Sequence, residues 1–279
     1  MSNLDLIFER ARAGDGGRVA KLMASVETPS LLKFTIWSSP QASTYIEDLI
    51  AGECPEIAAE FHILRRDGEI AVALYLRLVD GAIFVDNVYA DEAARKQQLT
   101  NLLIYSGLID YSQRHPSDTA AFDAFEFDRT IRAWHRYLGG KEHSRRTWWH
   151  LPLPPGSEEY TADSEVIGFK EAEGRHQRWG FSQFQVVTSQ GRYSVGRLPE
   201  SYFRLTEPAG ATDLSLCRTL AKLDPSRTLF VIGPAEGIGG GGTHIATSVR
   251  SSVDLQRVLK RLSLSIPERM LERLQAQPA

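Results

Sequence analysis

The chain is predicted to be an α/β protein: a mixed, mostly antiparallel sheet with flanking helices, followed by a smaller α+β C-terminal domain. Three observations predict this. Apolar residues make up 42% of the 279, enough for a packed core. Two short turns, Arg66-Asp67-Gly68 and Asp80-Gly81, separate three apolar runs, and strands joined so tightly must be antiparallel neighbours. Elsewhere helical patterns are inserted singly between strands, which is the signature of a layered α/β domain.

The elements follow in order. Residues Leu4–Ala13 suit a first strand. Asp15 offers a helix cap, and Val19, Leu22, Met23 and Val26 then recur at i, i+3, i+4, i+7 on one helix face. A second helix is expected over Gln41–Ala51, then strands over Ile57–Arg65, Glu69–Val79 and Ala82–Tyr89. One long helix is expected over Glu92–Arg114, with Leu99, Leu102, Leu103 and Ile109 buried and His115-Pro116 as its stop. A strand (Ala120–Phe127), a helix (Arg129–Leu138, ended by Gly139-Gly140) and a strand (Arg145–Leu153) complete the first domain, residues 1–153.

The proline-rich stretch Pro152–Gly156 marks a boundary, and residues 154–279 form the second domain. It should hold a hairpin (Phe181–Thr188 and Arg192–Arg197), a helix (Asp213–Leu223), strands over Thr228–Ile232 and His244–Arg250, and two terminal helices. Ser265–Glu268 reads as a capping box for the last helix. The stripe Val253, Leu255, Val258, Leu259, Leu262 fits a docking helix. No residue-level repeat of the first half is convincing, so a second, eroded copy of the same fold stays an open alternative.

Composition narrows the partners. Net charge is −3, with 32 Lys+Arg against 35 Asp+Glu, so global electrostatics argue for neither nucleic acid nor an anionic membrane. Cys54 and Cys217 form no CxxC pair, and His143, His150 and His176 lack ligand spacing, so no metal is expected. Reduced thiols fit a cytoplasmic protein. The N-terminus carries acids and lacks an apolar core, so it is not read as a signal peptide, and no apolar run approaches the roughly 20 residues of a membrane span. A homodimer stays open.

The order β-α-α-β-β-β-α-β-α-β over residues 4–153 resembles the GNAT superfamily of acyl-CoA-dependent N-acetyltransferases. In that family the fourth strand runs into R-G-x-G-x-G-x-x-L-L, whose backbone amides hold the pyrophosphate of CoA at a helix N-terminus. Anchored on Leu102-Leu103, the family's arginine falls on Ala94 and its three glycines on Arg95, Gln97 and Leu99. All three glycines are missing. Side chains of Arg95, Lys96 and Gln97 are the residues left to touch phosphate, against the alternative of a structural turn with no ligand. The family's N-x-x-A-x-x-x-Y-x-x-x-G-F falls on residues 128–140, with Asp128 for the asparagine and Gly139 for the glycine. His135 stands where a tyrosine often protonates the departing CoA thiolate, and histidine can donate near neutral pH; a surface histidine without a task is the alternative.

The resemblance further implies a carboxylate base near the middle of the fourth or fifth strand. Asp86 alternates with Phe84 and Val88 and so shares a face with apolar residues, where an acid needs compensation. It is the preferred base, against a purely structural pairing with an arginine. Asp123 and Glu126 fall on opposite faces of the next strand. A backbone amide at Val88 or Tyr89 would stabilise the oxyanion.

The implied activity is acyl-CoA-dependent N-acylation of an amine on a small molecule or protein, with acyl-CoA as co-substrate. The alternative is a non-catalytic GNAT-like binding or assembly protein that has lost acyl-CoA. Two features of the second half are weaker. Gly237–Gly242 matches G-x-G-x-x-G but leads into a strand rather than a helix, which fits a loop better than a dinucleotide site. Arg175, His176, Arg178 and Trp179 are a small basic-aromatic cluster, read as surface or inter-domain contact rather than a single-strand nucleic-acid platform.

Overall fold

The computed structural model describes residues 5–26, 29–54, 58–154, 164–199, 201–234, 238 and 242–275. In chain order these form β1 (Leu6–Arg10), α1 (Gly16–Val26), α2 (Pro29–Leu32), α3 (Ala42–Ile50), β2 (Ala59–Arg66), β3 (Glu69–Val79), β4 (Ala82–Ala90), α4 (Glu92–Lys96), α5 (Leu99–Arg114), β5 (Thr119–Phe125), α6 (Arg129–Leu138) and β6 (Lys141–Leu151). Then follow β7 (Ser164–Ile167), α7 (Phe169–Trp179), β8 (Ser182–Thr188), β9 (Arg192–Arg197), β10 (Tyr202–Leu205), α8 (Leu214–Leu223), β11 (Thr228–Gly233), β12 (Thr243–Asp254), α9 (Leu255–Ser265) and α10 (Glu268–Gln275). None of these helices is long and apolar enough to cross a membrane.

Contacts gather the chain into two compact units, both discontinuous. The first holds residues 1–27, 43–144 and 249–279; the second holds 28–42 and 145–248. The sequence pattern places the two terminal helices in the second domain. They pack instead in the first unit, where Leu255, Val258 and Leu262 of α9 join the main core.

In the first unit β1, β2, β3 and β4 pair antiparallel in succession. Asp67, Gly68, Asp80 and Gly81 all take positive φ, as the two tight turns require. β4 then pairs parallel with β5, and α5 makes the crossover between them. Leu74, Leu76, Ile83 and Val85 meet Leu99, Leu103 and Leu108 in a fully apolar layer under α5. Gly107 permits the close approach: a Cβ there would stand 2.5 Å from Leu74. Val19 and Met23 of α1 are buried as their spacing predicts.

Three local expectations are corrected. The helix expected over 92–114 is two helices, because Gln98 adopts a left-handed conformation (φ 60°) that no helix interior admits. Asp15 does not use its carboxylate as a helix cap; it takes the Arg65 guanidinium at 2.7 and 2.8 Å and the Arg12 amide. Ser265 ends α9 rather than capping α10, and its hydroxyl bonds Leu262 O and the Asn101 amide.

The second unit repeats the first in order and pairing sense. β7, β8, β9 and β10 pair antiparallel in succession, and β10 pairs parallel with β11 across the helix α8. β6 pairs antiparallel with the far side of β11. The sequence pattern does not reveal α7 or the short strands β7 and β10. Glycines in left-handed conformation bracket α7 at Gly168 and Gly180, and four-residue strands carry too little periodicity to announce themselves. Most of the glycine run 237–242 lies outside the described residues.

Candidate functional site

The site grows out of the β4–β5 pairing. That ladder covers Ile83↔Ala120, Phe84↔Ala121 and Val85↔Phe122, then stops. β4 continues to Ala90 on its β3 side, through Leu74↔Val88 and Ala73↔Tyr89, but has no β5 partner beyond Val85. Two parallel strands that part at their C-terminal ends leave a gap bordered by unpaired backbone groups, which is where α/β sheets take ligands. The first residue past the last rung is Asp86 on one strand and Asp123 on the other.

A β-bulge aims Asp86. Tyr75 opposes Asn87 and Leu76 opposes Val85, so Asp86 is the extra residue. The bulge breaks the alternation assumed from sequence: Val88 packs with the apolar core layer, whereas Phe84 carries two guanidinium groups. Asp86 accepts Arg77 Nη2 at 2.6 Å and the Asn87 amide at 3.3 Å. Burial pushes its carboxyl above the ordinary value, and Arg77 offsets this only in part.

Asp123 is held two-fold by Arg250, from Nε at 2.8 Å and Nη2 at 2.9 Å. Arg250 lies 4.5 Å from the Phe84 ring centroid and Arg77 5.6 Å from it. Two ion pairs therefore stand side by side over one aromatic floor. Behind them Tyr45 and Tyr75 share a hydrogen bond, and burial pushes the Tyr45 hydroxyl up to about 12. Arg250 comes from the C-terminal strand, a distance in sequence that no local pattern bridges.

The remaining expected residues fall as follows. His135 is not a surface residue: it is 4% exposed, packed on Phe122, and its Nδ1 is buried without a partner. Burial pushes it down to about 4, so it is neutral near pH 7 and lacks the extra proton expected of it. Asp128 caps α6, accepting the Ile131 amide at 2.9 Å. Arg95 and Lys96 are exposed, and Lys96 bonds Glu92 one turn back. Gln97 is half-buried with an unpartnered Oε1. Leu99 does not stand at the mouth of the gap; it is fully buried in the core.

The start of α5 therefore presents free backbone amides. Gln98 makes no side-chain cap, and no acid stands in the first turn. α8 is the opposite. Asp213, fully buried, accepts the Ser215 and Leu216 amides and the Thr188 hydroxyl at 2.6 Å. The basic-aromatic cluster of the second unit lies on α7. Its His176 is pushed down to about 4 by burial and by Arg197, which argues against a charged platform.

One acid–histidine group has no signature in the sequence. Glu60, His62 and Asp110 bring ligand-type atoms within 4.8 Å of one another. Arg114 already occupies both carboxylates, at 2.6 and 2.7 Å. Despite burial, hydrogen bonds from His62 and Arg114 hold Glu60 well below the usual carboxylate range. The group is an ion-pair network tying β2 to α5 beside an open pocket of about 960 Å³ along β1.

No family model matches the sequence, and no curated protein matches it. Solved structures do. A tandem GNAT protein from the clavulanic acid biosynthesis pathway, solved without AcCoA, is similar over 90% of this chain and 99% of its own, at 15% identity and a TM-score of 0.62. A GCN5-related N-acetyltransferase from Sphaerobacter thermophilus is similar over 90% and 96%, at 13% identity and a TM-score of 0.58. Another from Kribbella flavida is similar over 90% and 72%, at 12% identity and a TM-score of 0.50. At such identities the likeness is one of fold. The chain has the GNAT fold, in a two-domain layout.

Proposed function

We propose that the chain is an acyl-CoA-dependent N-acyltransferase whose chemistry lies in the first GNAT-like unit, within the domain expected over residues 1–153. The observation that carries the reading is the parting of β4 and β5 after Val85 and Phe122, with a carboxylate on each strand at the fork and an uncapped helix start beyond it. A thioester would lie between the parted strands, against their unpaired backbone groups. The amides that begin α5 suit a pyrophosphate, with Arg95, Lys96 and Gln97 around them. The missing glycines weigh less than the sequence suggests, because Leu99 turns into the core.

In this reading Asp86 takes the proton of the amine, directly or through water. Burial raises its basicity, and the Arg77 guanidinium at 2.6 Å works in the opposite sense. The backbone amide of Val88 or Tyr89, unpaired on the β5 side, stabilises the oxyanion. His135 lies against Phe122, the last paired residue of β5. Being neutral, it would hydrogen-bond the departing thiolate through a ring N–H instead of transferring a proton.

Calorimetric titration with acetyl-CoA and longer acyl-CoAs tests the reading. Saturable heat and a thermal upshift are expected. Neither heat nor shift with any acyl-CoA would overturn it in favour of a non-catalytic GNAT-like binding protein, a reading favoured by the side chains at 95 and 97.

A further inference from the structure

The acceptor face of the fork has an unusual charge arrangement. Arg77, Asp86, Arg250 and Asp123 form two adjacent ion pairs over Phe84, with equal numbers of each sign. Asp86 engages Arg77 through Nη2, while Arg77 Nε is buried and has no acceptor. The Arg77 side chain keeps 37% of its exposure and Asp86 23%, so this pair is reachable from solvent, unlike the tyrosines behind it.

From this geometry we propose that the acceptor is a zwitterion of the amino-acid type, its ammonium group seated on Asp86 and its carboxylate on Arg77. The inference rests on the acyltransferase reading. Its physical basis is charge conservation on binding. A simple cation taking Asp86 would displace Arg77 and leave a half-buried guanidinium without its counter-ion, a costly outcome. An anion taking Arg77 would strand Asp86 in the same way. A zwitterion exchanges one ion pair for two, its carboxylate meeting the exposed part of the Arg77 guanidinium. The rings of Phe84 and Tyr75, 5.6 and 5.8 Å from the Arg77 guanidinium, hold that plane in place.

The reaction balances with these groups. The ammonium gives one proton to Asp86, and the freed nitrogen pair attacks the thioester carbonyl carbon. The C–N bond forms, the C–S bond breaks, a second proton leaves the nitrogen, and the thiolate is protonated to CoA. Net products are the N-acyl amino acid, free thiol and one proton released to solvent.

The test measures thiol release from acetyl-CoA with three sets of acceptors: the twenty common L-amino acids, the matching amino-acid carboxamides, and spermidine. Acetyl-CoA binding is measured separately by calorimetry, so failure of the acyltransferase reading is told apart from failure of this inference. Turnover is expected with one or more free amino acids, and at least tenfold less with the carboxamide of the same residue. Arg77→Met should raise KM for that amino acid at least tenfold with a smaller change in kcat, and Arg77→Lys should restore part of the loss. Acetyl-CoA binding without turnover of any amino acid, or carboxamides or spermidine serving as well as free amino acids, would overturn the proposal.

Discussion

The strands of the two units follow the same order and pairing sense, yet their parallel pairs end differently. In the first, β4 and β5 share three rungs and then part. In the second, β10 is paired with β11 along its whole length, from Tyr202↔Thr228 to Leu205↔Val231. The helices that follow differ in the same sense. α5 begins with unsatisfied amides, whereas α8 begins on the buried Asp213 carboxylate. After β5 comes α6 with His135, but only residues 234–242 separate β11 from β12. One strand topology thus leads into two kinds of helix start, one with free amides and one with a side chain in the place an anion would take. An anion site and a satisfied helix cap are the same amides used differently.

The strongest way to break this contrast is to remove the acid at the fork. Asp86→Asn is expected to lower kcat/KM about 10²- to 10⁴-fold with acyl-CoA affinity nearly unchanged, measured by thiol release and calorimetry. Unchanged turnover would remove the first unit from the chemistry.

A stability profile against pH probes His135 in the first unit. Its folded value is depressed to about 4 from an ordinary 6.5, so protonation favours the unfolded chain. The stabilisation is complete above about pH 6.5 and is lost as pH falls toward 4, on the order of 3 kcal/mol in all. Chemical denaturation of the native protein should show that loss, and His135→Phe should remove the His135 share of it, the remainder belonging to His176, which burial also pushes down to about 4. An equal slope in both proteins would show that other groups carry the pH dependence.

Asp213→Ala should cost about 1–2 kcal/mol of stability through the lost α8 cap while leaving acyl-CoA affinity alone. Denaturant midpoints and calorimetry together check this. A coupled loss of affinity would mean that the second unit takes part in binding after all.

The smallest effect sharpens the comparison by making α5 resemble α8. Thr100→Glu places an acid in the first turn, which should leave the melting temperature equal or slightly higher. Acyl-CoA affinity should fall about tenfold, some 1.4 kcal/mol, through repulsion of the pyrophosphate. Titration of the unmodified chain should meanwhile give one acyl-CoA per chain; two would contradict the contrast.

Much of the fold is legible in the order of the amino acids alone. Two glycine turns with aspartate partners announce β2, β3 and β4, and the leucine spacing of α5 announces the layer beneath it. These signals are local: a positive φ at Gly68 or a 3.6-residue period depends on near neighbours alone. By itself the sequence supplied the strands of the first half and the GNAT resemblance, and it singled out Asp86 as a candidate acid. What it could not supply was long-range pairing. The bulge that turns Asp86 away from Val88 exists only in the register against β3. Arg250 reaches Asp123 only because the C-terminal strand returns to the first unit. Burial turned His135 from an expected acid into a neutral ring. Tertiary structure decided these points because pairing register, ion-pair partners and solvation are set by residues far apart in the chain.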